Sequence, residues 1–209
     1  MKKPTEFEEQ SQSLPGNQNK MKPVPEVIRK NYKGSEKLKN KIAFITGGDS
    51  GIGKSVAVHF AREGADIAIV YLSEDKDAED TKKMVEKEGR ECLLIKGDLK
   101  SESFCKKAMD QCLKKFGGIN VLVNNAAVQF PKDKLTSISA KQLQDTFETN
   151  IFSFFHLSKL AIPHFKAGDT IINTSSVTTY RGSEHLVDYA STKGAIVGFT
   201  RSLSLMLAK

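Results

Sequence analysis

The sequence has no tryptophan, only three cysteines in 209 residues, and no apolar run approaching the roughly 20 residues of a membrane span. Its richest apolar stretch, IFSFFHLSKLAI, is interrupted by His156 and Lys159. The N-terminus, MKKPTEFEEQ, follows its lysines with acids and polar residues where a secretion signal needs an apolar run. The expectation is neither a membrane-embedded nor an exported chain. Cysteine usage agrees. Cys92, Cys105 and Cys112 form no CxxC pair and have no histidine at metal-ligand spacing. They read as small buried thiols in a reducing, cytoplasmic setting, with no metal site.

A net charge of +7 raises the question of a nucleic-acid partner. The charge is uneven, however: residues 1–40 carry nine Lys/Arg against five Asp/Glu, more than half of the excess. Without tryptophan or a dense basic run interleaved with aromatics, a solvated basic tail explains the balance better than a nucleic-acid groove. No nucleic-acid partner is expected.

Residues 1–38 read as a polar extension, flexible or arm-like, with Pro4, Pro15, Pro23 and Pro25 and almost no apolar period. The domain occupies 39–209. KIAFIT, DIAIVYL, CLLIKGD, INVLVNN and DTIINTSS are buried-type strands, separated by helical stretches. The last two of these run from about Ser139 to Phe165 and from Val187 to the final residue. Strands that alternate with helices and are continuously apolar imply a parallel sheet covered on both faces. The fold class is α/β, a doubly wound, Rossmann-like parallel sheet.

The first strand leads into TGGDSGIG, with Gly47, Gly48, Gly51 and Gly53. Such a turn brings backbone N–H groups of a helix N-terminus close to a phosphate. Two readings compete at this point. Gly48 to Ser55 matches the P-loop pattern GxxxxGK[ST], which would make the chain a nucleotide hydrolase, whereas Gly47 to Gly53 has a dinucleotide-type spacing. The turn alone does not decide. At the ends of later strands stand Asp98, Asn124 with Asn125, and Ser175 with Ser176, where ligands bind in open α/β sheets. Tyr189 and Lys193, four apart on a helix, share one face. By itself a Tyr-x3-Lys pair is ordinary helix surface. Near the other motifs it suits acid–base work: lowering a phenol by about three units requires roughly 4 kcal/mol. An ammonium about 5 Å away supplies about 3 kcal/mol at an effective dielectric near 20.

In this order TGGDSGIG, Asp98, NNAA, Asn150, Ser176 and YASTK resemble the short-chain dehydrogenase/reductase family, from Lys41 to the last residue. The extension with YKGSEKLKNK resembles a bacterial branch carrying an N-terminal arm. The resemblance implies hydride transfer between NAD or NADP and a small alcohol or carbonyl substrate. Tyr189 would move the proton of the substrate hydroxyl, Lys193 would lower its pKa and bind the nicotinamide ribose, and Ser176 would position the carbonyl oxygen. Ser175 would be structural. Asn150 would hold a water linking Lys193 to solvent. Gly47, Ser50, Gly51, Ile52 and Gly53 would surround the pyrophosphate, Asp98 the adenine, and Asn124 with Ala126 the adenosine ribose.

Where NAD-preferring members place an acid after strand two, Tyr71 and Leu72 stand here, and Ser50 is not basic. No Arg or Lys stands there to hold a 2′-phosphate either, so NAD and NADP both stay open, with a slight lean to NADP. The resemblance also implies a homo-oligomer, with the arm lying across a neighbouring subunit as the alternative to a free tail. Family members continue into two more strands, a proline-glycine loop and a mobile segment. By that resemblance the chain lacks the family's last two strands and is expected to be marginal and to self-associate at an exposed edge. A cofactor-binding fragment with little turnover is the non-enzyme alternative.

Overall fold

In the computed structural model, which describes residues 9, 10, 12 and 18–208, the five apolar runs become strands. They are β1 (Ile42–Thr46), β2 (Asp66–Tyr71), β3 (Cys92–Lys96), β4 (Val121–Asn124) and β5 (Thr170–Asn173). All pair in parallel, in the order β3-β2-β1-β4-β5. Consecutive side chains of a strand point to opposite faces, so a strand covered on both sides must be apolar throughout. Phe44, Val70, Ile95 and Leu122 pack on one face against α3 (Glu102–Phe116) and α5 (Ser153–Ala161). Ala43, Ile45, Ile67, Ile69 and Val123 pack on the other against α1 (Gly51–Arg62) and α2 (Asp75–Lys87). Cys105 and Cys112 belong to the first layer and Cys92 to the second. Burial pushes each thiol up to about 12, so all three stay protonated.

The long helical stretch expected from about Ser139 to Phe165 is subdivided. It comprises α4 (Ala140–Phe147), a π-helical turn at Glu148–Phe152, α5, and a 3-10 turn at Ile162–His164. Helix α5 stops at Ala161 because Pro163 has no N–H to continue the ladder. The π turn surrounds Asn150, whose buried amide donates to Val128 O (2.9 Å) and accepts from Val128 N (2.8 Å). That tie to a loop 22 residues earlier holds the helix off its regular path. A one-turn helix, α6 (Thr178–Arg181), precedes the last helix, α7 (Val187–Leu207).

Strand β5 pairs with β4 alone among the described residues, and Ile172 on it is 41% exposed. A cleft beside it is lined by Tyr32, His59, Phe60 and Val121. Part of the extension lies outside the described residues. From Gln18 onward it runs along α1 of its own chain, in the same direction. Val27 O accepts from Ser55 Oγ (2.8 Å), and Tyr32 O accepts from Arg62 (3.0 Å). At the far end, Glu63 accepts from the Tyr32 hydroxyl and from the N–H groups of Ser35 (2.9 Å) and Lys37 (3.1 Å).

The Tyr32 hydroxyl and the two backbone N–H groups lower the Glu63 carboxyl from an ordinary 4.5 to about 2. Because the folded value is depressed, the contact contributes fully above the ordinary value and is lost as pH falls towards 2. Glu63→Ala is expected to reduce amide-exchange protection at Ser35 and Lys37 at neutral pH. Protection factors in the unsubstituted chain should fall the same way on acidification towards pH 2. Protection that survives both treatments would show that other contacts hold this segment.

Candidate active site

A parallel sheet delivers every strand's C-terminal end to one edge, and most of the residues singled out above gather there. The turn after β1 begins at Gly47 (φ +62°), and α1 begins at Gly51 (φ +53°). A Cβ on Gly53 would lie 1.9 Å from Gly47 O and 2.8 Å from Asn125 Nδ2, so only glycine lets the helix start this close to the turn. Above Gly51 the space is open: a Cβ there would meet nothing within 4 Å. Ser50 does not cap the helix with its side chain, and its Oγ bonds to Asp49 instead (3.2 Å). The first N–H groups of α1 thus point out of the turn without a cap from Ser50, the kind of donor set that an anionic group or another acceptor can use. Ile52 projects beside it, 67% exposed.

The turn after β4 locks this cradle. Asn125 Nδ2 donates to Thr46 O (3.1 Å) and Gly47 O (3.3 Å), while the N–H groups of Asn125 (2.9 Å) and Ala126 (3.0 Å) donate to Thr46 Oγ1. Asn124, expected at the adenosine ribose, points elsewhere. Its fully buried side chain donates to Asn173 Oδ1 (2.9 Å) and Ser158 Oγ (3.4 Å), joining β4 to β5 and α5. Asn125, the second residue of the NN doublet, is the one whose side chain reaches the turn after β1. Asp98 is exposed after β3 and accepts from Lys100 N (3.0 Å). At the end of β2 the Tyr71 hydroxyl donates to Asp75 (2.9 Å), which also pairs with Lys96 (2.6 Å). Burial, with Asp75 beside it, pushes the Tyr71 phenol up to about 12.

The strand-five end is stitched to α7. Lys193 Nζ donates to Thr174 O (2.8 Å), Ser175 Oγ to Lys193 O (3.1 Å), and Asn173 Nδ2 to Thr200 Oγ1 (3.0 Å). Ser175 therefore serves the α7 backbone, as a structural residue would. Ser176 is half-buried, and its Oγ accepts from the hydroxyl (3.0 Å) and N–H (3.2 Å) of Thr178. Lys193 Nζ lies 5.4 Å from the ring centre of Tyr189 and 6.0 Å from that of Phe154. Asn150 joins the group through Thr192 Oγ1 (3.2 Å).

One contributor carried no motif signal. Asp188, buried beside Tyr189, accepts from Tyr189 N (2.9 Å), Gln142 Nε2 (2.9 Å) and Thr146 Oγ1 (3.1 Å). It pins the start of α7 to α4, and thereby sets where Tyr189 stands.

This edge, with a glycine cradle at one strand end and a Tyr–Lys pair beside the next strands, is that of a doubly wound dinucleotide-binding fold. The comparisons make the assignment narrower. The short chain dehydrogenase family profile matches residues 41–209, and the chain belongs to that family. It is 55% identical to the uncharacterized oxidoreductase YhdF of Bacillus subtilis, over 93% of this chain and 67% of that protein. It is 44% identical to the chloroplastic NADPH-dependent aldehyde reductase 1 of Arabidopsis thaliana, over 93% of this chain and 70% of that protein. Among solved structures, a short chain dehydrogenase from Burkholderia cenocepacia in complex with NADP aligns with a TM-score of 0.79 at 30% identity. The alignment covers 82% of this chain and 70% of that one.

Lys193 is 1% exposed, and burial lowers its ammonium from 10.5 to about 8. Since the charged form is the one disfavoured in the fold, the penalty is present below about pH 8 and disappears as pH rises towards 10.5. A shift of this size corresponds to about 3 kcal/mol, and losing the Thr174 hydrogen bond offsets about 1 kcal/mol of it. Lys193→Met is therefore expected to be about 2 kcal/mol more stable than the unsubstituted chain at pH 7. The two should converge by about pH 10. Thermal melts of both proteins at the two pH values measure this. A variant less stable at both would show that Lys193 is a net stabiliser.

Proposed function

We propose that the chain is an NAD(P)-dependent oxidoreductase that interconverts a small alcohol and a carbonyl compound. The observation that carries the reading is the Lys193 ammonium 5.4 Å from the Tyr189 ring, at the same sheet edge as the glycine cradle. The nicotinamide cofactor, when bound, supplies the hydride. Gly47, Ser50, Gly51, Ile52 and Gly53 are proposed to hold its diphosphate and Asp98 its adenine. The ribose contact attributed to Asn124 and Ala126 falls to their backbone, because the Asn124 side chain is engaged within the fold.

Tyr189 exchanges the proton of the substrate oxygen, and Ser176 donates a hydrogen bond to that oxygen. Lys193 is protonated below about 8. An ammonium about 5 Å from a developing phenolate is worth about 3 kcal/mol at an effective dielectric near 20, most of what the phenol needs to work near neutrality. Lys193 also reaches the nicotinamide ribose, and Asn150, whose side-chain N–H groups already serve Val128 O and Thr192 Oγ1, is left only as an acceptor for a water connecting Lys193 with solvent. Of the two cofactors we favour NADP. β2 ends in Tyr71, so the position where an acid would select the 2′-hydroxyl of NAD carries no carboxylate. The NADPH dependence that names the Arabidopsis relative supports the same choice. The working form is proposed to be a homo-oligomer.

The test is a calorimetric titration with NADP, NAD and Mg-ATP, followed by a carbonyl panel on the unsubstituted chain and Tyr189→Phe. The expected result is nicotinamide binding that Tyr189→Phe leaves nearly unchanged, with kcat lowered at least a hundredfold, the usual scale of a lost general acid. Most of the rate surviving in Tyr189→Phe would remove Tyr189 from proton transfer. Binding of Mg-ATP without either dinucleotide would replace the reading with a P-loop one.

A further inference from the structure

The residue that meets the first N–H of α1 comes from the extension. Gln18 is buried, and its Oε1 accepts from Gly51 N at 2.6 Å. The segment that carries it is fastened along α1 by the contacts of Val27, Tyr32, Ser35 and Lys37 already described, which follow that helix from its first turns to its C-terminal end. Ser50 leaves the helix uncapped, so the carboxamide oxygen of Gln18 satisfies a donor that would otherwise lack a protein partner. It stands where the cofactor reading places a diphosphate oxygen. One N–H cannot serve both acceptors.

We propose that the extension is a displaceable internal occupant of the cofactor cradle, with Gln18 filling the diphosphate seat in the cofactor-free protein and leaving it when cofactor binds. This rests on the reading of the glycine turn as the cofactor cradle. The competition is unequal. A diphosphate at a helix N-terminus makes charge-assisted bonds roughly twice as strong as the neutral one of a carboxamide. Cofactor therefore wins, but only the fraction of molecules with an open seat binds directly. The apparent Kd is raised in inverse proportion to that fraction, and association is slowed by the need to open. The segment tunes cofactor affinity without touching the reacting atoms.

The test uses the full 209-residue chain as it is, with Gln18→Ala and Gln18→Glu, melted first to confirm folding. Each is titrated calorimetrically with NADP and NAD, and association rates are taken by stopped flow. Gln18→Ala is expected to tighten binding about two- to twelvefold, the worth of one neutral hydrogen bond, and to speed association. Gln18→Glu should weaken binding, because a carboxylate is held more firmly at the helix N-terminus and repels a diphosphate. Amide exchange at Gly51 in the cofactor-free state should be faster in Gln18→Ala than in the unsubstituted chain.

Weaker binding by Gln18→Ala would make Gln18 a cofactor contact rather than a competitor, and would overturn the proposal. Equal affinities, or unchanged exchange at Gly51, would overturn it alone and leave the cradle reading standing. Absence of dinucleotide binding in all three proteins, with faster Gly51 exchange in Gln18→Ala, would overturn the cradle reading and the proposal with it.

Discussion

The cradle depends on one close approach. Gly53 lies so near Gly47 O that a methyl group there would sit at 1.9 Å, and the β1–α1 junction has no other way to close. That approach aims the first N–H groups of α1 outwards. Thr46 and Asn125 hold it from the other side, through four hydrogen bonds between the ends of β1 and β4. Two neighbouring strands thereby share one rigid rim. A turn held this way is preorganised, so little of its conformational entropy would be lost on binding a ligand.

The opposite end of the rim is organised around a cost. An ammonium with almost no exposure is unfavourable in a protein interior unless its donors are used. Lys193 has Thr174 O and two aromatic ring faces nearby, and is still pulled down to about 8. A structural residue at that place would be apolar. A cation kept at that cost fits the proposed role beside Tyr189, whose ring lies 5.4 Å from the ammonium. Asp188, Gln142 and Thr146 then have a plain purpose: they hold α7 to α4 so that the pair stays aimed at the strand-five end.

The sequence conveyed this architecture where the signals are local. Five apolar runs and a glycine-rich turn each act within a few residues, so the strands and the place of the turn are legible, whereas the helix expected to reach Phe165 ends at Ala161. The sequence failed where the deciding partner is distant. The π turn at Asn150 exists because of Val128, and no periodicity in 139–165 announces it. The roles of Asn124 and Asn125 differ by one position at a strand end, where consecutive side chains leave on opposite sides. Choosing between them requires knowing which side faces the glycine turn. Asp188 is invisible for the same reason, since a lone acid before a helix reads as an ordinary first-turn acid until its burial is known.

The extension shows most clearly what composition omits. Proline, glutamine and lysine in that proportion exclude a core of its own, and that inference concerns only apolar burial. Polar segments can still be ordered by the unsatisfied groups of a neighbouring element, and α1 offers such groups at both ends: N–H donors at its start, and Arg62 with Glu63 at its finish. Gln18 and the backbone of residues 32–37 match them in kind, an acceptor at the first and mainly donors to the carboxylate at the second. A helix whose N-terminus serves a charged ligand must leave that terminus uncapped by its own sequence, as Ser50 does here. An N-terminus without a cap of its own is open to any acceptor that can reach it, and the Gln18 carboxamide does.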